Sequence, residues 1–346
     1  MKIRKAIPVL LMIVLLGSCK TQQLYLNVVE PAPVTLSQDI KSVGVINRSM
    51  PTDQTKILDV IDKVFTLEGV DLDKDGAEQA INGLSDELLN NNRFSEIKNL
   101  KDIDFRTPRL GIFPVPLSWD IVNKICKERR TDALFSLEYY DTDTRLHYST
   151  RNVDVDTPLG ISIPGIEHLA EMETIVKTGW RIYDPASQVI ADEFNHVQSV
   201  VFTGRGINPL VAAAALTGRK EAVKDVSNKA GRGYALRLLP FELRVMRDYF
   251  VKGTNNFKIA RRKAQLGKWD EAGQLWEKET NNPKMKIAGR ACYNMGIINE
   301  INGDVDMALQ WAQKAYEDYN IKLGREYSRI LENRRMKREI LEEQQQ

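Results

Sequence analysis

Two near copies of one segment lie 36 residues apart and fix the character of the C-terminal third. Gly267-Lys268-Trp269-Asp270-Glu271-Ala272 is answered by Gly303-Asp304-Val305-Asp306-Met307-Ala308. A glycine allows a tight turn between two helices, and an alanine five residues on lets those helices approach closely. Trp276 and Ala312 stand four residues beyond the two alanines, one helical turn further along the same face. Ala260 supplies the small residue on the first helix of copy one, and Asn294-Met295-Gly296 does so in copy two. Pro283 closes the first copy. A long charged helix, Lys322 to Glu343, follows the second.

This pattern over residues 253–320 resembles tetratricopeptide repeats, with a period of 36 residues where the family has about 34, and with two copies where stable arrays have at least three. The resemblance implies helical hairpins with a partner-binding groove lined by Trp269, Trp276, Asn294 and Trp311. The charged helix would serve as its cap.

Upstream, the period changes from helical to two. Ala133, Phe135, Leu137 and Tyr139 alternate along a strand, and so do Met172, Thr174, Val176, Thr178, Trp180 and Ile182. Tyr183-Asp184-Pro185-Ala186-Ser187 is turn chemistry, and residues 188–201 return as the partner strand. Short strands are expected at residues 43–46 and 93–99. Helices are expected at 56–67, 76–91 and, capped by Ser118, up to Arg129. Pro158, Gly160, Pro164 and Gly165 make residues 150–168 read as a long loop. After Phe202 the pattern is helical: a short helix behind the Asn208-Pro209 cap, a longer one over 220–239, and a restart at Pro240 toward Phe250.

The N-terminus is of another kind. Lys2, Arg4 and Lys5 precede an apolar run, Ile7 to Leu16, too short to cross a hydrocarbon core that needs about 20 residues. Leu16-Gly17-Ser18-Cys19 then resembles the lipobox of a bacterial lipoprotein signal. That resemblance implies removal of residues 1–18 and acylation of Cys19 with two or more chains, which hold a protein firmly to a membrane. No acidic run follows Cys19, so the expected location is the outer membrane of the envelope, facing the periplasm.

The domain plan is therefore a signal peptide (1–18), a lipidated tether (19–36), a small α/β domain with a mixed sheet (37–205), connecting helices (206–252) and a helical domain (253–346). The fold class is α+β. The chain has 49 basic and 47 acidic residues. With Lys2, Arg4 and Lys5 removed the balance is close to neutral, so nucleic acid is not an expected partner. With Cys19 acylated, only Cys126 and Cys292 remain, both expected as buried small side chains.

Motifs that would carry chemistry are incomplete. Asp71-Leu72-Asp73-Lys74-Asp75-Gly76 opens like a calcium loop, but position twelve is Asn82 where a bidentate glutamate belongs. Asp75 with Glu78 reads instead as a helix start. Ser95-Glu96-Ile97-Lys98 lacks the companion motifs of serine acyl enzymes. Gly204-Arg205-Gly206 and Gly231-Arg232-Gly233 lack the third glycine of a dinucleotide site. His147, His168 and His196 have no metal-ligand spacing. No catalytic set, cofactor or metal is expected. Tyr139, Tyr140, His147 and Tyr148, beside Arg145 and Arg151, form the one cluster that could bind sugar.

As a whole the chain resembles an uncharacterised family of lipoproteins from Bacteroidota. The shared features are the lipobox, Glu30-Pro31-Ala32 leading into Val43-Gly44-Val45-Ile46-Asn47-Arg48-Ser49, the Asp75-Gly76 helix start, the Tyr183-Asp184-Pro185 hairpin and the repeat-like tail. The strand and helix order is also similar to the small α/β domain of curli-export lipoproteins. The expected function is a membrane-anchored, non-enzymatic protein-interaction or assembly module with a protein partner in the envelope. The alternatives are a glycan-binding or glycan-processing lipoprotein and an export-ring component.

Overall fold

The computed structural model describes residues 20–50, 70–103, 105, 112–156, 160, 162–216 and 218–345. Cys19 and the helix expected over 56–67 lie outside the described residues. The chain divides into two units, one of residues 32–240 and one of residues up to 31 together with 241–345.

The first unit is built on a five-stranded mixed sheet. Its strands are β2 (Ser42–Asn47), β3 (Glu96–Asn99), β4 (Ala133–Asp156), β5 (Ser162–Asp184) and β6 (Val189–Gly206), in the order β3-β2-β4-β5-β6. β2 runs parallel to β3 and β4, and the β4-β5-β6 ladders are antiparallel. Alternation sorts the side chains onto two faces. Val43, Val45, Phe135, Leu137, Trp180 and Ile182 pack beneath helices α1 (Val70–Asn90) and α4 (Arg219–Ala235). Ile46, Leu134 and Tyr183 pack on the other face, against α2 (Trp119–Arg129). α3 (Pro209–Ala214), capped by the Asn208 side chain as its sequence indicates, packs against β5 and β6.

α1 and α4 touch backbone to backbone. A Cβ on Gly231 would stand 1.8 Å from the Ala80 carbonyl oxygen, and one on Gly83 would stand 2.1 Å from that of Asn228. Gly231 therefore serves helix packing and no phosphate. α1 also begins five residues before Asp75, so Asp75 is no helix cap; its carboxylate pairs with Lys220 and Lys224 instead.

The second unit joins the two ends of the described chain. β1 (Thr21–Glu30) pairs antiparallel with β7 (Phe241–Phe250) along its whole length. Behind this ribbon stand α5 (Asn255–Gln265), α6 (Trp269–Glu277), α7 (Met285–Ile301), α8 (Val305–Glu317) and α9 (Lys322–Gln345), each packed on the next. Gly267 and Gly303 both adopt positive φ, 75° and 85°, at the two tight turns, where a side chain would be strained. Ala272 and Ala308 are fully buried at the helix contacts. Cys126 and Cys292 are free and buried.

Three further expectations are corrected here. Residues 20–30 are no slack tether: Leu24 and Val28 are buried, and the segment is a strand. Residues 241–250 are a strand, not a restarted helix, because Val245, Arg247 and Tyr249 recur every second residue toward the helices. Residues 150–168 are mostly ladder. β4 and β5 stay in register as far as Asp156 and Ser162, with Pro164 opposite Asp154.

Candidate functional site

One concavity of the helical unit lies beside β1. A cleft of about 470 Å³ is lined by Gln22 to Tyr25, by Arg244 and Tyr249 of β7, and by Ala264, Gln265 and Trp269 at the α5–α6 turn. Gly267 sets that turn and so sets Trp269 opposite the strand. The Trp269 ring meets Tyr249 edge-on at 5.5 Å. The Arg244 guanidinium lies 4.8 Å above the Tyr25 ring, itself 58% exposed. With its amide oxygen toward Arg261 and its nitrogen toward Tyr249, Gln22 bridges the two at 3.0 Å each. Burial raises the Tyr249 hydroxyl above its ordinary pKa, so it stays neutral and accepts from the Gln22 amide.

Of the four residues assigned to a partner groove, Trp269 alone lines this cleft. Trp276 is wholly buried in the helical core, in contact with Tyr249. Asn294 is equally buried, and its amide mimics a neighbouring strand: Oδ1 accepts from the Phe250 N–H and Nδ2 donates to the Phe250 carbonyl, both at 2.7 Å. Trp311 is half-buried, with the Lys314 ammonium 5.6 Å from its ring. The inner helix face that the repeat pattern marks out is thus filled by the chain's own ribbon. Trp276 and Asn294 are buried against that ribbon and hold it.

Beneath the ribbon a buried carboxylate is fully bonded. Glu300 accepts from Arg247 at 2.9 Å on each oxygen, from the Tyr327 hydroxyl at 2.7 Å, and from Arg334. Burial alone would push this carboxyl up, but its donors outweigh burial and leave its pKa below the ordinary value.

The sheet unit holds a counterpart, which sequence reasoning missed. Glu138 is the unpaired residue of a β-bulge in β4, between Leu137 and Tyr139. It accepts from Arg48 at 2.6 Å and from the Tyr183 hydroxyl at 2.9 Å, while Arg181 stays 3.6 Å away. Arg181 is committed to Glu193 and to the Pro114 carbonyl, and Arg48 also reaches the Val115 carbonyl. Leu117 N–H donates to Tyr183. The cluster therefore straps residues 114–117 to the sheet. Burial raises the Glu138 carboxyl, and its cations offset that only in part. Burial, with Glu138 adjacent, pushes Tyr183 to about 12.

The sugar cluster does not assemble. Tyr139 and Tyr140 are buried, bonded to Asn195 and Ser227 respectively, and only Tyr148 of the three tyrosines is exposed, stacked on His168. Asp73 of the calcium-like loop accepts from Thr142. Among the described residues no group of three or more His, Cys, Asp or Glu is placed to hold a metal. Nor is any helix long and apolar enough to cross a membrane.

These features define an α+β protein with a mixed sheet and a helical C-terminal region. Residues 40–250, more than half of the chain, match the family described as a domain of unknown function, DUF8603, and the chain belongs to that family. Residues 258–339 match a second domain of unknown function, DUF6340. No curated protein matches the chain. Among solved structures, similarity extends to a "putative lipoprotein" from Caulobacter crescentus CB15, at 14% identity over 46% of this chain and 78% of that one, TM-score 0.20. The PelC dodecamer from Paraburkholderia phytofirmans matches at 11% identity over 61% and 96%, TM-score 0.23. A "putative neuraminyllactose-binding hemagglutinin homolog" from Helicobacter pylori matches at 9% over 68% and 94%, TM-score 0.24. Superpositions this loose carry no inference about the present chain.

Proposed function

We propose that this chain is a lipid-anchored protein of the cell envelope that acts, without catalysis, as a protein-interaction module through its helical unit. The observation that carries the reading is the cleft beside β1, where Trp269, Tyr25 and Arg244 surround open space. The anchor half rests on Leu16-Gly17-Ser18-Cys19. β1 starts two residues after Cys19, and the Lys20 carbonyl accepts from Val251 N–H at 3.1 Å. An acylated Cys19 would then hold the helical unit at the membrane with almost no slack, on the periplasmic side of the outer membrane. The helices from α5 to α8 are read as two tetratricopeptide-like hairpins whose inner face is filled in cis, which moves the free binding surface to the edge of the ribbon.

Two measurements test this. Cys19→Ser should abolish palmitate incorporation and move the protein from the membrane to the soluble fraction. A photo-crosslinking residue at Trp269 should trap a discrete protein partner in intact cells, whereas the same residue at exposed Ile330 on α9 should not. Retained palmitate, or identical crosslinks at both sites, would refute the corresponding half.

A further inference from the structure

The ribbon has an unmet edge, and its hydrogen-bond phase can be read from its end. In an antiparallel ladder, opposed residues alternate between pairs that exchange both backbone bonds and pairs that direct those groups outward. Phe250 directs its N–H and C=O to Asn294, so Phe250 opposite Thr21 is an outward pair. Val251, bonded to Lys20, is of the exchanging kind. Counting inward, Gln22 and Leu24 bond to β7, while Gln23 and Tyr25 turn their N–H and C=O groups away from it. Among the described residues nothing bonds to these backbone groups. Both residues border the cleft whose far wall is the α5–α6 turn.

We propose that this edge of β1 takes an extended, acidic segment of a partner protein as an added strand. The inference deepens the interaction-module reading and rests on it. An exposed row of unpaired backbone groups is a template for strand addition, in which backbone bonds give affinity and alternate side chains give specificity. Two outward residues accommodate a segment of about five residues. Arg244 is the one charged side chain lining the cleft among the described residues, so the complementary side chain is a carboxylate. An apolar or aromatic neighbour of that carboxylate would meet Trp269. A second copy of this chain fits poorly. Residues 21–29 of β1 carry no carboxylate to meet Arg244, whereas an acidic segment does.

The test is selection of random twelve-residue peptides displayed on phage against the full chain in detergent micelles. Enriched peptides should alternate apolar with polar residues and carry Asp or Glu. Tyr25→Pro deletes an N–H that faces the cleft and leaves the β7 ladder intact, because proline is tolerated where a strand's N–H faces outward. It should weaken the enriched peptides by about tenfold or more, equivalent to about 1.4 kcal/mol. Arg244→Glu should remove the preference for acidic residues while leaving the fold unchanged. N-methylation of alternate peptide amides should abolish binding in one phase only. Peptides that bind both variants undiminished would overturn the edge site and leave the interaction-module reading standing. A library that yields no binder would overturn both. A dimer seen by sedimentation and lost in Tyr25→Pro would assign the edge to a second copy and overturn the proposal.

Discussion

Glu138 in the sheet unit and Glu300 in the helical unit are near twins in composition. Each is a fully buried acid with two arginines and a tyrosine around it. Their pKa values nevertheless move in opposite directions. The number of donors decides. Glu300 receives a bidentate guanidinium, a second guanidinium and a hydroxyl. Glu138 receives one guanidinium nitrogen and a hydroxyl, because Arg181 is turned toward Glu193 and the Pro114 carbonyl. A buried charge is stabilised by the hydrogen bonds it completes, and the count of opposite charges nearby is a poor guide. The Glu300 cluster fastens the ribbon to α7 and α9. The Glu138 cluster fastens a strap to the sheet and leaves its acid under-bonded.

The sharpest way to break the comparison is to remove each charge. Glu300→Gln leaves Arg247 and Arg334 without their counter-ion and should cost about 3–5 kcal/mol. Glu138→Gln should cost about 1–3 kcal/mol, since that site already disfavours ionisation. Urea denaturation monitored separately in each unit measures both, and equal losses would sink the argument from donor number. The tyrosines come next. Tyr183→Phe removes the bond to Glu138 and also orphans the Leu117 N–H, about 2 kcal/mol. Tyr327→Phe removes the hydroxyl's bond to Glu300 at about 1 kcal/mol. Hydrogen exchange at the Leu117 amide should accelerate in the first variant only.

The smallest effect is with pH. Glu300, depressed below 4.5, contributes stability that is present above 4.5 and lost as pH falls through its folded value. Glu138, raised above 4.5, contributes stability that is present below 4.5 and lost as pH rises through its folded value. Acidification should therefore weaken the helical unit before the sheet unit, and melts at several pH values with probes in each unit would show the order. The same order reversed would contradict the assigned directions.

What could be read from the chain alone follows the range of each signal. The turns at Gly267 and Gly303, the α3 cap at Asn208 and the hairpin at Asp184 are written within a few neighbouring residues, and they were legible. The pairing of β1 with β7 was not. The two strands are remote in sequence, β1 sits directly behind a stretch that resembles a lipobox and invites a tether reading, and Arg247 interrupts the apolar side of β7. The Glu138 cluster left a fainter trace. Polar residues at 136 and 138 break an otherwise apolar alternation, and Arg181 does the same in β5, but a one-residue bulge cannot be read from the period of a strand. Trp269 is half-buried beside the cleft, where its glycine fixes the turn. Trp276 and Asn294 were misread because the face they mark is occupied by a distant strand.

The pairing of Thr21 with Phe250 also constrains the order in which the molecule can be made. More than two hundred residues must emerge before the first strand finds its mate, and bringing such distant ends together costs about 5 kcal/mol of chain entropy. The helical array must therefore be largely assembled before the N-terminal strand docks. The opening strand stays unpaired through synthesis and is sealed against the body of the protein only as the last step.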